Sequence, residues 1–161
     1  MRLSPGAAPL LKRFTDAGTK LFLVTNQSGL ARGILTWDEV NAVNEEIVRR
    51  LLARRVPVTD VLICPHHPEG SIAALRKRCR CRKPGTLLHE RAMEQHGLDP
   101  RRCAVIGDKW DDVGAGVSLG AIAVHVLTGY GRAHRATVKG RAPDAILAGS
   151  LADALQRLLC R

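Results

Sequence analysis

A fold of the α/β class, a mostly parallel sheet with helices on both faces, is predicted by two features of this sequence. Short apolar, β-type runs alternate with helical patterns along the whole length, as in chains built from repeated βα units. The informative polar loops (Thr25-Asn26-Gln27-Ser28-Gly29 and Gly107-Asp108-Lys109) directly follow strand-like runs, which puts them at carboxyl ends of strands, where open parallel sheets bind ligands.

The elements follow in order. Pro5 and Gly6 open a helix over about residues 5–17 that Gly18 closes, and Lys20-Leu21-Phe22-Leu23-Val24 reads as the first strand. Thr36 and Glu39 form a capping box for a helix to about Arg54. Residues 61–63 make a second strand, followed directly by a cysteine-rich segment. A helix over residues 86–96 stops at Gly97, and residues 103–106 form a third strand. A helix over 111–119, a strand over 122–127, a loop at Thr128-Gly129-Tyr130-Gly131, a short strand over 145–147 and a last helix capped by Ser150 complete the chain. The loop at 128–131 is read as a turn that does not touch a ligand. No linker, repeat or low-complexity segment divides residues 1–161, so one domain is expected.

A chain of 161 residues buries enough surface to fold without staples. It shows no basic-then-apolar leader and no apolar run of spanning length, so a cytoplasmic protein without a membrane partner is expected, and a monomer. Five cysteines without a secretory leader argue against a disulfide framework; Cys103 reads as a buried strand residue and Cys160 as a free thiol. The net charge of +10 raises the possibility of a nucleic-acid partner. With 3 % aromatic residues and its arginines scattered, the chain lacks the stacking residues of such a surface. A small phosphorylated ligand accounts for the same charge, and so does a plain solvated face.

Cys64, His66, Cys79 and Cys81 stand in a C-x-H…C-x-C arrangement. Any one of them alone reads as an ordinary core or polar residue. Together, in an arginine-rich segment, they have the donor set of a closed tetrahedral Zn²⁺ site, with no position left open for substrate, so the role is structural. His67 could replace His66. The site pins the loop that carries Lys83.

Three loops carry a second chemistry. The Thr25 hydroxyl and the amides after it can hold phosphoryl oxygens, Lys83 can neutralise charge on a phosphoryl group, and Asp108 can ligate a hard cation such as Mg²⁺. Each could instead be a turn, a surface residue or a helix-start carboxylate; their joint placement after successive strands points to phosphoryl transfer.

The strings Val24-Thr25-Asn26-Gln27-Ser28-Gly29-Leu30-Ala31-Arg32-Gly33, Cys64-Pro65-His66-His67-Pro68-Glu69-Gly70, Cys79-Arg80-Cys81-Arg82-Lys83-Pro84 and Gly107-Asp108-Lys109 resemble the haloacid-dehalogenase superfamily, in particular its zinc-loop branch of heptose-bisphosphate and histidinol-phosphate phosphatases. The resemblance covers the chain from about Leu3 onward. It implies a three-layer Rossmann-like fold without a large cap and a magnesium-dependent phosphomonoesterase, heptose 1,7-bisphosphate being placed ahead of histidinol phosphate. By the same resemblance Thr25 steadies the transferring phosphoryl group, Asn26, Gln27 and Ser28 line the substrate site, and Arg82 recognises substrate. Lys83 is the phosphoryl-stabilising lysine, Asp108 a magnesium ligand and Lys109 a substrate or metal contact. Cys64, His66, Cys79 and Cys81 match the zinc ligands.

One motif departs. The family's reaction uses an Asp-x-Asp at the end of the central first strand, one carboxylate attacking phosphorus and the other moving protons. No two aspartates here stand two apart. Asp16, Asp60, Asp111 and Asp112 are in the wrong places to substitute. Because the segment from Met1 to Gly6 already matches the family's first-helix region, the first strand is expected upstream of residue 1. An active phosphatase, N-terminally incomplete here, is the leading expectation, and a zinc-containing pseudo-phosphatase the alternative.

Overall fold

The computed structural model describes residues 4–160; Arg161 and the part of the expected first-helix match at Met1 to Leu3 lie outside them. The chain divides into two compact units, one built on Ala8–Arg82 and the other on the chain from Lys83 onward with the residues just before Ala8. The predicted α/β class holds: among the described residues every strand ladder is parallel, and helices lie between the strands in sequence.

In the first unit, helix α1 (Ala7–Asp16) precedes strand β1 (Phe22–Asn26), a single helical turn α2 (Ser28–Ala31), helix α3 (Trp37–Leu52) and strand β2 (Asp60–Cys64). The expected capping box is formed: the Glu39 amide donates to Thr36 Oγ1 at 3.2 Å and the Thr36 amide to Glu39 Oε2 at 2.8 Å. Strand β1 begins and ends two residues later than expected, so Thr25 and Asn26 are its last residues rather than part of a turn. The reason is the ladder to β2, which pairs Thr25 with Ile63 and Asn26 with Cys64.

Helix α3 also stops short of Arg54, at Leu52. Its end is a Schellman turn: the Val56 amide bonds to Leu51 O at 3.0 Å and the Arg55 amide to Leu52 O at 2.8 Å. Buried Val56 and Leu51 supply the apolar contact usual for this turn. The turn needs a left-handed residue, and here that residue is Arg55, at φ 58°; the equivalent position after α1 is Gly18, at φ 87°. A side chain in this conformation costs about 1 kcal/mol or more. Replacing Arg55 by Gly is therefore expected to raise stability by about 0.5 kcal/mol or more, the remainder being offset by the freedom of glycine in the unfolded chain; urea unfolding checks it, and a loss of stability contradicts the reading.

The second unit holds helix α4 (Leu87–His96), strand β3 (Ala104–Gly107), helix α5 (Trp110–Leu119), strand β4 (Ile122–Val126), helix α6 (Gly131–Arg141), strand β5 (Ile146–Ala148) and helix α7 (Leu151–Leu159). The sheet order is β3-β4-β5, with β4 central. Residues alternate faces along a strand, and β4 sends Ala123 to one side and Val124 and Val126 to the other. Ala123 packs with Val113, Val138 and Ala142, residues of α5, α6 and the turn after it. Val124 and Val126 pack with Ala148 and Ala154, and Leu158 joins them from α7. This unit is thus a three-layer sandwich whose central strand buries apolar side chains on both faces, as buried parallel strands do, with His125 as its one polar side chain. Cys103 stands just before β3 rather than in it, half-buried, with its thiol directed to Asp99 O at 3.3 Å.

Helix α6 has no counterpart in the sequence prediction. Its sequence, GRAHRATVKGR, buries only Gly131 and Val138, and no side chain caps its start at Tyr130, so neither an apolar stripe nor a cap announces it.

Candidate functional site

In the first unit the segment after β2 folds back so that Cys64, His66, Cys79 and Cys81 bring their donor atoms within 4.8 Å of one another. Cys81 Sγ lies 3.2 Å from Cys64 Sγ, from Cys79 Sγ and from His66 Nδ1, and Cys64 Sγ is 3.6 Å from Cys79 Sγ. A Zn²⁺ ion with bonds of about 2.3 Å to sulfur sets its ligands at the corners of a tetrahedron with edges somewhat under 4 Å, so these four donors fit such an ion. Burial pushes the Cys64 and Cys81 thiols up. Burial also acts to raise Cys79, but hydrogen bonds from Cys81, the Arg82 backbone and Cys64 outweigh it and leave this thiol below its ordinary value. Burial, then the charge of Lys77, lowers His66 and keeps the ring neutral, as a ligand must be.

His67, the alternative donor, is turned to other work. Its Nδ1 accepts from the Glu69 amide at 3.1 Å, and its Nε2 faces Arg32 Nη2 at 3.3 Å. Arg82, next to the cluster, directs Nη1 to His66 O at 3.4 Å. The loop is anchored on α2: the Ile72 amide bonds to Ala31 O at 2.9 Å, and a Cβ at Gly70 would lie 2.6 Å from that same oxygen.

At the carboxyl end of β1, Thr25 Oγ1 accepts from Gln27 Nε2 at 3.1 Å, and the Gln27 amide donates to Cys64 O at 2.8 Å. Ser28 begins α2. Thr25 to Ser28 therefore leave the strand directly beside the chain that enters the cysteine loop.

In the second unit the carboxyl end of β3 carries Asp108 and Lys109, followed at once by α5. Lys83 Nζ and Asp112 Oδ1 form an ion pair at 2.6 Å, with side chains 12 % and 13 % exposed. The other oxygen of Asp112 accepts from the Lys109 amide at 3.2 Å, so one carboxylate ties Lys83 to the loop that carries Asp108. Gly107 makes room for it, since a Cβ there would lie 2.1 Å from Asp112 Cβ. Asp108 Oδ2 accepts the Tyr130 amide at 2.8 Å, while Lys109 Nζ lies 4.0 Å from the centre of the Tyr130 ring, within cation–π range.

His89 of α4 is buried and its Nδ1 makes no hydrogen bond among the described residues. Burial first, and then the charge of Lys83, holds its pKa down to about 4, with Asp112 and Glu90 pulling the other way. The folded value lies below the unfolded one of about 6.5, so in acid the unfolded chain takes up a proton that the folded ring refuses. Stability is accordingly expected to fall as pH drops from about 6.5 to 4, by about 3 kcal/mol at the lower end. Urea midpoints across this range should show that slope in the wild type and a flatter one in His89→Leu; equal slopes would acquit His89.

A family model described as HAD-hydrolase-like matches residues 80–154. The D-glycero-β-D-manno-heptose-1,7-bisphosphate 7-phosphatase of Rhodopseudomonas palustris is 37 % identical over 120 residues, covering 74 % of this chain and 67 % of that protein. The enzyme of the same name from Yersinia pestis is 35 % identical over 150 residues, covering 92 % of this chain and 77 % of that protein. The chain belongs to the heptose-bisphosphate phosphatase family of HAD-like hydrolases. A solved structure of D,D-heptose 1,7-bisphosphate phosphatase from B. bronchiseptica, complexed with magnesium and phosphate, matches with a TM-score of 0.83 and 30 % identity over 97 % of this chain and 83 % of that one.

Three groups beside Lys83 and Asp108 were not singled out from the sequence: Asp112, His89 and the Tyr130 amide. Asp112 carried a weak signal, an acidic residue in the first turn of a helix next to Lys109, but nothing in the sequence says that Lys83 folds onto it. The turn at 128–131, expected to be a plain loop, holds Asp108.

Proposed function

We propose that this protein is a magnesium-dependent phosphatase that removes the 7-phosphate of D-glycero-D-manno-heptose 1,7-bisphosphate. The observation that carries the reading is identity of 35 % and 37 % with proteins of that name across most of the chain. The ion-paired Lys83 and the braced Asp108 add to it, because a phosphoryl-transfer site needs a fixed cation and a fixed hard-metal ligand. Asp108 would hold Mg²⁺, which neutralises phosphoryl charge when bound; only its Oδ2 is engaged by Tyr130, so the carboxylate retains ligand capacity. Lys83 neutralises charge on the transferring group from a position set by Asp112. Thr25 donates its hydroxyl to a phosphoryl oxygen, Asn26, Gln27 and Ser28 line the substrate site, and Arg82 and Lys109 supply further positive charge for a bisphosphate. Cys64, His66, Cys79 and Cys81 hold a structural Zn²⁺. The same proposal takes residues 1–161 as one domain of a cytoplasmic monomer that acts on a small metabolite rather than a nucleic acid.

The attacking carboxylate is the one role these residues leave unfilled, since no Asp-x-Asp occurs in the sequence. That observation favours a second reading, a zinc-containing pseudo-phosphatase that binds phosphorylated ligands without turnover. Phosphate release from heptose 1,7-bisphosphate and from histidinol phosphate, with and without Mg²⁺, should be measured for this chain and for a version extended by a strand bearing Asp-x-Asp. Turnover of the heptose substrate in the extended version alone supports the proposal. Faster turnover of histidinol phosphate shifts the substrate assignment, and ligand binding with no turnover in either form supports the second reading.

A further inference from the structure

His125 lies on the central strand β4 of the second unit and is 1 % exposed. Its Nε2 is 2.8 Å from Gly131 O. A carbonyl only accepts, so the ring hydrogen sits on Nε2, and Nδ1 is buried with no hydrogen bond among the described residues. Such an orphaned acceptor costs about 1 kcal/mol or more, which an apolar side chain of similar shape would avoid. The histidine is therefore explained by the bond that it donates, not by core filling.

That bond ends on a tightly built turn. The Gly131 amide donates to Thr128 O at 2.9 Å, and a Cβ at Gly131 would lie 1.8 Å from Val126 O. One residue earlier, the Tyr130 amide donates to Asp108 Oδ2 at 2.8 Å. One residue before that, Gly129 adopts φ 57°, where a Cβ would lie 2.2 Å from the same Asp108 oxygen. The turn thus presses directly on the Asp108 carboxylate, and a shift of a few tenths of an ångström at Gly131 would lengthen the bond to it.

We propose that His125 is a positioning residue for Asp108, acting through the turn of residues 128–131. The proposal rests on the reading of Asp108 as the magnesium ligand. Groups that orient a ligand without touching the metal commonly alter metal affinity by tenfold or more.

NMR on the full chain tests it. In the wild type the His125 ring nitrogens should report a proton on Nε2 that exchanges slowly; a proton on Nδ1 overturns the proposal. On titration with MgCl₂, followed by the amide signals of Asp108, Lys109 and Tyr130, His125→Leu should bind about tenfold more weakly, and its Tyr130 amide should lose the downfield shift given by a carboxylate acceptor. His125→Gln, which keeps an N–H donor of similar reach, should restore both. An unchanged Tyr130 amide in His125→Leu overturns the proposal, as does equal Mg²⁺ affinity. A wild type in which Mg²⁺ leaves the Asp108 signal unmoved defeats the metal assignment instead, and the Tyr130 amide still decides the role of His125. If His125→Leu does not fold, the ring proton and His125→Gln decide the matter.

Discussion

Replacing Cys81 with Ser is expected to strip the protein of bound zinc and to unfold the loop between β2 and Lys83. Cys81 Sγ is the donor nearest to all of the others, 3.2 Å from two sulfurs and from the His66 nitrogen. A serine hydroxyl is harder than a thiolate and does not deprotonate near neutral pH, so it is a poor fourth ligand. The loop has little else to order it: between Cys64 and Lys83 its one regular element is the 3-10 turn Ala73–Leu75. For zinc held at a thousand times its dissociation constant, binding to the folded state alone adds about 4 kcal/mol. Cys81→Ser, or a strong chelator applied to the wild type, should remove about that much from the unfolding free energy and lower the zinc content from one ion per chain to none. Cys160→Ser is the control, because Cys160 is exposed and outside the cluster. Full zinc content with unchanged stability in Cys81→Ser would refute the assignment.

Lys83→Met should lower kcat by a factor of about 100 to 1,000 in whichever form of the protein releases phosphate, the usual cost of losing one preorganised group that meets developing charge. KM should move less, since the loss falls on the transition state. Asp112→Asn separates position from charge: it leaves Lys83 in place but removes the carboxylate 2.6 Å away. Both side chains are largely buried, so breaking the pair is expected to cost about 3 kcal/mol of stability. The double variant Lys83→Met with Asp112→Leu should recover much of that stability, because a matched apolar pair can replace a buried ion pair, and should recover no activity. Normal kcat in Lys83→Met would contradict the role given to Lys83. A double variant no more stable than Asp112→Asn would show that the ion pair is not what holds these two elements.

The alternation of strands and helices was legible because its causes are local. The capping box at Thr36 and Glu39 and the stop at Gly97 are decided by a few neighbouring residues, and side-chain chemistry alone marks Cys64, His66, Cys79 and Cys81 as a metal set. Helix α6 was not legible, because its one buried side chain, Val138, gains its partners only when β4 and α5 are already in place. Strand β1 was displaced by two residues for the same kind of reason: Thr25 and Asn26 look like turn residues until β2 pairs with them.

The α/β class and the residue types available for metal and phosphate follow from composition and short spacing, while the family is read from the resemblance of whole motifs. The choice of His66 over His67 belongs to the tertiary structure, as do the pairing of Lys83 with Asp112 and the grip of residues 128–131 on Asp108. Lys83 and Asp112 are 29 positions apart and Asp108 and Tyr130 are 22 apart. Contacts at such separations are set by how strands and helices pack, and no local preference of either partner encodes them.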